Sequence, residues 1–357
     1  MIHFFPRFPG ADESPTGEAL RNIGIRYRIF ELLAPQNHRF RFQILLVGYP
    51  KLAWAALRVA MQSLLGPRPQ RPRLVVLGSD IEVLVFALVR AWPGAAKPDF
   101  VFLPFIFTQR ASPALNRLRL AYYRFVMRRT ACAICHSTLE LERYRALFAG
   151  CGTAFVFVPW GGYVPPAERI EALAPPRRIR GEEAQVVAAG RSGRDYPTLV
   201  AAAAGLPCRI AIICNEQAAL DGVAASEQVA LLTDCFGMGY LSELLHADIV
   251  VVPLRVEDIS AGQMVLIQTM ALGRPLIVTR TPTIGDYLED GVNALLVPRG
   301  DVEAMRDALR RLLDDPAAAA ALGARARRDY EARFTQEAHL RELLRVIQEH
   351  GEAGRLA

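Results

Sequence analysis

The chain has 357 residues, 52% of them apolar, and a formal net charge of +6. That supplies apolar material for more than one buried core and excludes a disordered or collagen-like chain. The charge is unevenly divided: residues 1–180 carry 25 Lys and Arg against 11 Asp and Glu, whereas residues 181–357 carry 17 against 25. A basic first half and an acidic second half predict two domains, the first facing an anionic partner such as lipid headgroups, phosphates or nucleic acid.

The opening stretch reaches Pro6 without a long apolar run, so no secretory signal is predicted. Arg58, Arg90 and Arg124 interrupt the longest apolar stretches, none of which reaches the ~18 residues of a membrane span. The expected location is cytoplasmic, soluble or peripheral on the inner face of a membrane.

In chain order, residues 2–5 read as a strand, 17–33 as a helix and 44–47 as a short apolar strand. Residues 52–65 have helical spacing and end at Gly66-Pro67. The apolar run 74–77 stops at Gly78, and Ser79 or Asp80 can cap a helix over 81–91. A further apolar run at 100–107 continues the strand–helix alternation of a parallel sheet with helices on both faces. In the helix predicted over 114–129, Arg117, Arg124 and Arg128 share one face. Leu115, Leu118, Tyr122 and Phe125 form an adjacent apolar stripe. The helix is read either as a surface helix packed by its apolar side or as an Arg-and-aromatic helix that rests on an anionic membrane or grips a phosphorylated acceptor.

Residues 131–135 read as a buried strand although Cys132, Cys135 and His136 match a CxxCH haem-attachment pattern. Attachment of that haem needs export, and buried cysteines behave as small hydrophobes. Neither haem nor zinc is expected, because no second Cys/His pair stands at metal-binding spacing. Ser137 can cap a helix over 138–148, residues 155–158 make another strand, and Pro159 to Gly162 turn the chain.

The alternation restarts at 185–189. The loop that follows holds Gly190, Arg191 and Arg194 before a helix at 197–204. Two arginines in a Gly-containing strand-to-helix loop suit a diphosphate, since helix-end N–H donors and charge-assisted hydrogen bonds then converge; the plainer alternative is solvated loop arginines. Strands are predicted at 209–214, 229–232 and 249–254, and a helix at 241–246. After Ser260, a turn through Ala261, Gly262 and Gln263 feeds an apolar helix ended by Gly273 and Pro275. The backbone N–H groups of that turn would face an anion or polar ligand. Three helical stretches, near 302–313, 317–333 and 336–348, close the chain. No Walker A, HExxH or GxSxG pattern occurs.

Together these motifs resemble the retaining GT-B glycosyltransferases of the family-4 type (glycosyl transferases group 1), most clearly over residues 185–335. Gly190-Arg191 with Arg194 five residues before Leu199 is similar to that family's basic donor-binding signature. Thr269 to Pro275, Glu289 to Pro298 and Gly300-Asp301 follow the family closely and in order. The resemblance implies an α/β GT-B fold: two Rossmann-like domains with parallel sheets facing across a cleft, plus C-terminal helices. The expected division is 1–165 for the acceptor side, 166–182 as linker and 183–335 for the nucleotide sugar. Residues 336–357 are read as a C-terminal helix able to pack back on the first domain.

The resemblance further implies a metal-independent transfer, without a cofactor, of a sugar from a nucleotide-diphosphate sugar to a lipid-linked or cell-envelope saccharide. Gly190, Arg191, Arg194, Ala261, Gly262, Gln263 and Gln268 would bind the donor. Arg117, Arg124 and Arg128 would serve the acceptor or an anionic membrane, and no nucleic-acid partner is expected. The family's paired glutamates fall here on Ser260 and Gln268, both neutral. Gln268 can still hydrogen-bond a ribose diol, but Ser260 cannot support a cation-like sugar. Glu257 or Asp258 could take that role if the loop shifts register. The family's first-domain histidine has no counterpart, Gln109 occupying a comparable loop and His136 reading as structural. Three alternatives remain: a catalytically silent nucleotide-sugar-binding or partner protein, a nucleotide-sugar epimerase, and nucleic-acid binding through the basic half, which no recognised module accompanies.

Overall fold

A computed structural model describes residues 2–4, 27–29, 49–65, 74–78, 80–93, 99–108, 112–174, 183–255 and 259–353. The chain divides into two compact units: Met1–Val158 with Leu340–Ala357, and Pro159–His339.

Among the described residues the first unit is built on a parallel sheet of six strands. Its strands are β1 (Ile2–Phe4), β2 (Tyr27–Ile29), β3 (Leu74–Leu77), β4 (Asp99–Phe102), β5 (Cys132–Cys135) and β6 (Ala154–Phe157), in the order β2-β1-β3-β4-β5-β6. Among the described residues its helices include α1 (Tyr49–Leu65), α2 (Asp80–Ala91), α3 (Pro113–Met127) and α4 (Thr138–Leu147). Parallel strands need crossover connections, and burial on both faces explains their near-continuous apolar sequences. Ala60, Phe86, Val126 and Tyr144, one from each helix, enter a single core with Val75, Phe100 and Ala133. That core is aromatic, with the Phe105 ring 4.8 Å from Tyr144, 5.4 Å from Tyr123 and 5.6 Å from Phe148. On the sheet's other face Val76, Val101 and Ile134 meet Leu340, Leu343 and Ile347 of the C-terminal helix.

The second unit repeats the plan with β7 (Ala184–Ala189), β8 (Cys208–Ile213), β9 (Val229–Leu232), β10 (Ile249–Val252), β11 (Leu276–Thr279) and β12 (Leu295–Val297). These are also all parallel, ordered β12-β11-β10-β7-β8-β9. Its helices are α5 (Ala167–Leu173), α6 (Tyr196–Ala203), α7 (Gly237–Leu245), α8 (Gln263–Ala271), α9 (Val302–Asp314) and α10 (Pro316–Arg333). Helix α11 (Gln336–Ala353) starts in the second unit and continues into the first. Asp301 and Asp315 cap α9 and α10 by accepting from the Ala304 and Ala318 amides at 2.9 Å each. Gly273, at φ 65°, ends α8, and Gly323 of α10 lies so close that a Cβ there would stand 2.2 Å from the Gly273 carbonyl oxygen.

Several expectations change. The helix expected at 17–33 is contradicted at its end, because Tyr27, Arg28 and Ile29 pair in parallel with β1. Apolar-polar-apolar alternation suits a strand edge, and pairing overrides weak helical spacing. Residues 5–26 and 30–48, with the strand expected at 44–47, lie outside the described residues. In the stretch read as linker, α5 is packed structure, its Ile170 fully buried in the second unit's core. On α3 the inward residues are Tyr123, Val126 and Met127, while Leu115 and Leu118 of the expected apolar stripe are 53% and 68% exposed. Cys132 and Cys135 are buried in β5 and belong to cores on opposite faces of the sheet. Burial pushes the Cys132 thiol up to about 12.

Candidate functional site at the ends of β7 and β10

Loops that leave the carboxyl ends of parallel strands converge where strand order reverses, and ligands of open α/β sheets bind there. In the second unit β7 lies between β10 and β8, and the loops after β7 and β10 meet. An isolated antiparallel bridge joins Arg194 to Leu254, the Asp195 amide donates to the Pro253 carbonyl at 3.1 Å, and the Arg255 amide to the Gly193 carbonyl at 2.8 Å. Thr279 Oγ1 accepts from the Leu254 amide at 2.9 Å, so the end of β11 is tied in as well.

Arg194 lies at the centre of this junction and is only 5% exposed. Its Nε donates to the Ala189 carbonyl at 2.9 Å and its Nη1 to the Ser192 carbonyl at 2.8 Å. Tyr196 Oη donates to the Gly190 carbonyl, closing the loop around the guanidinium. No carboxylate pairs with Arg194 among the described residues. Burial draws its pKa below the usual guanidinium value, while Tyr196 and Tyr240 act the other way. Arg194 nevertheless stays charged, since arginine begins so far above neutrality. Gly190, at φ 108°, is required by close approach: a Cβ there would stand 2.3 Å from Arg194 Nη2. Arg191, in the same loop, is exposed.

Helix α8 starts beside this cation. Its N-cap is Gly262, at φ 91° with no side-chain cap, so the first-turn amides of α8 keep open donor capacity. Arg194 Nη1 lies 3.9 Å from the position a Gly262 Cβ would take. Ala261 and Gln263 are buried at 4% and 8% exposure, and Gln263 Nε2 is buried without a hydrogen-bond partner. Such a group costs roughly 1–3 kcal/mol when left unsatisfied. A guanidinium with carbonyl acceptors but no carboxylate partner among the described residues, helix-end amides and an orphan amide donor thus gather at one loop junction. Chemically the arrangement suits a polyvalent anion.

One turn further along α8, Gln268 Oε1 accepts a 2.8 Å hydrogen bond from Tyr240 Oη. The phenol is held above its ordinary pKa, chiefly by burial, and so remains a donor. This pairing leaves the Gln268 amide nitrogen as the group free to donate. Tyr240 and Tyr196 escaped the sequence reading, because neither stands in a recognisable motif and their partners are 28 and 6 residues away.

Of the remaining candidates, Ser260 is half-buried immediately before this turn. Glu257 and Asp258 lie outside the described residues, as does Gln109. Arg117, Arg124 and Arg128 are exposed on or just after α3 and belong to the first unit, whereas this cluster belongs to the second. His136 is buried, with Nδ1 2.8 Å from the Val158 carbonyl oxygen. No group of three or more His, Cys, Asp or Glu suited to a metal ion occurs among the described residues.

Comparison with known proteins places these features. Residues 170–315 match the model of the family described as glycosyl transferases group 1. A 69-residue segment is 35% identical to alpha-D-kanosaminyltransferase of Streptomyces kanamyceticus; it spans 19% of this chain and 17% of that protein. The structure is similar to sucrose-phosphate synthase from Thermosynechococcus elongatus, with TM-score 0.73, 20% identity and 99% of each chain covered. It is also similar to HepE of Anabaena in complex with UDP and glucose, with TM-score 0.62, 14% identity, and 97% of this chain and 99% of that one covered. At such identities these two likenesses carry the fold.

Proposed function

We propose that this chain, which has the GT-B fold and whose residues 170–315 match glycosyl transferases group 1, moves a sugar from a nucleotide-diphosphate sugar to a saccharide acceptor. The observation that carries this reading is the buried Arg194 guanidinium, unpaired with any described carboxylate, beside the uncapped start of α8. HepE is described as binding UDP and UDP-glucose, which supports a nucleotide-sugar donor here.

In this reading the donor diphosphate supplies the missing acceptor. Arg194, Arg191 and the amides of Ala261, Gly262 and Gln263 neutralise the charge that grows on the departing nucleotide diphosphate. This lowers the barrier to breaking the sugar–phosphate bond without a metal. Each charge-assisted hydrogen bond of this kind is worth ~1.5–3 kcal/mol. Gly190 gives the guanidinium room, and Gln268, oriented by Tyr240, donates to the ribose hydroxyls. Ser260 faces the sugar in this reading, and Glu257 or Asp258 would supply the carboxylate that supports positive charge on the anomeric carbon. The configuration at that carbon is retained. Arg117, Arg124 and Arg128 serve a lipid-linked or cell-envelope acceptor.

A second reading, a silent nucleotide-sugar-binding protein, is favoured by one observation: the neutral Ser260 and Gln268 in place of a glutamate pair. A donor panel assayed for UDP or GDP release, with and without saccharide acceptors and with chelator present, tests both readings. Acceptor-dependent release unaffected by chelator supports transfer. Nucleotide affinity without release supports the silent protein, and an altered nucleotide sugar formed without acceptor would indicate an epimerase.

A further inference from the structure

Helices α1, α2 and α3 lie side by side on one face of the first unit's sheet, since Ala60, Phe86 and Val126 enter one core and each helix packs on the next. Tyr123 Oη also donates to Asp80 Oδ1 at 3.0 Å, fixing α3 to the start of α2. An outer helix face in a soluble domain normally carries charged and polar residues. Here α2 turns Leu88, 53% exposed, outward, and Trp92 just beyond it is 76% exposed. Leu84 and Val85, on the same helix, are half-buried, and Arg90 pairs with Asp99 at 2.8 Å.

The neighbouring helix α1 adds cations to this apolar strip. On α1, Trp54 (68% exposed), Leu57 and Met61 recur at helical spacing, interleaved with exposed Lys51 and Arg58. Neither α1 nor α3 contains any Asp or Glu. An exposed tryptophan-bearing apolar strip that gains Lys51 and Arg58 from α1, with the Asp80 carboxylate of α2 engaged by Tyr123, matches the physics of an amphipathic surface lying in the headgroup zone of an anionic bilayer. Its rings enter the acyl boundary and its cations meet lipid phosphates.

We propose that the outer faces of α1 and α2, with Trp54 and Trp92 as the inserted rings and Lys51 and Arg58 as the headgroup contacts, dock this protein on an anionic lipid bilayer. This deepens the acceptor side of the reading above by naming a bilayer surface separate from the Arg117, Arg124 and Arg128 face. It does not depend on donor chemistry. No helix among the described residues is long and apolar enough to cross a membrane, so the contact is interfacial.

The test uses the full chain and vesicles of phosphatidylcholine alone or mixed with phosphatidylglycerol. The protein has three tryptophans, and the third, Trp160, is half-buried in the second unit, so intrinsic fluorescence reports mainly on this face. Co-sedimentation with the anionic vesicles only is expected, with a blue-shifted emission quenched by brominated acyl chains. Trp54→Ala with Trp92→Ala should weaken partitioning by about tenfold or more, and Lys51→Glu with Arg58→Glu similarly, each with an unchanged melting temperature. UDP affinity measured by calorimetry should not move in either variant. Failure to bind anionic vesicles, or binding without quenching, overturns the proposal. So does an equal blue shift that appears on concentrating the lipid-free protein with a rise in mass, which would mark a face between copies. Vesicle binding without any nucleotide affinity would instead sink the donor reading and leave this one standing.

Discussion

The two units are both built on parallel six-stranded sheets among the described residues, in different strand orders, and use polarity in opposite ways. Among the described residues, eight large apolar side chains are exposed on the first unit against four on the second. The first unit's interior is rich in rings, with Phe105 packed among Phe102, Tyr123, Tyr144, Phe148 and Phe155. The second unit's sheet core is aliphatic: Val187, Val250, Leu266, Leu276 and Val278 are fully buried. Its polar groups are drawn inward at the strand ends, where Arg194, Gln263, Thr279, Thr281 and Thr283 are all buried. A small charged ligand needs fixed, desolvated donors; a broad, fluid surface needs exposed apolar area edged by charge. The same scaffold accommodates either by moving polarity from its rim to its outside.

If this division of labour holds, damage to one unit should leave the other's work intact. The largest effect is expected for Phe105→Ala, where loss of a ring buried to 1% exposure should cost ~3–5 kcal/mol. Urea unfolding should show an earlier transition, while UDP affinity measured under native conditions stays unchanged; a parallel fall in affinity would dissolve the separation. Arg194→Ala should weaken UDP by roughly a hundredfold, on the scale of ~1.5–3 kcal/mol per charged hydrogen bond. Unchanged calorimetric affinity would remove the diphosphate clamp. Gly262→Ala combines a left-handed φ of 91° with a Cβ placed 3.0 Å from Val252 Cγ1. It should cost ~1–3 kcal/mol in thermal stability and loosen UDP binding, without altering vesicle association. The smallest effect is Tyr240→Phe: loss of one hydrogen bond worth ~0.5–1.5 kcal/mol should reduce UDP affinity about fivefold. A variant that binds as tightly as the parent would show that Gln268 needs no orienting partner.

How much of this was legible beforehand depended on whether the signal was local. Strand–helix alternation, the Gly273 stop and the cap at Ser137 all rest on contacts within a few residues, and the parallel α/β architecture followed from them. The loop arginines were identifiable by their position between a strand and a helix, but not their different fates. Arg194 is buried because Gly190 lacks a side chain and the Leu254 backbone bridges to it, while Arg191 stays in solvent. Tyr240 and Gln268 are joined only by tertiary packing, which no spacing rule encodes. Leu115 and Leu118 misled for the converse reason. Helical periodicity finds an apolar stripe without knowing which way it turns, and here Tyr123, Val126 and Met127 took the inner face. Residues 17–33 failed as a helix because β1 offers Tyr27 to Ile29 a hydrogen-bonding edge.

Helix α11 also sets an order of events during synthesis. Val76, Val101 and Ile134 emerge early, yet Leu340, Leu343 and Ile347, which cover them, come last. At translation speeds of ~5–20 residues per second, the interval between Val158 and Leu340 is on the order of ten to forty seconds. Throughout that time one side of the first sheet must stay bare or be shielded by a chaperone. Premature termination shortly before Leu340 would therefore do most of its harm to the portion of the protein made first.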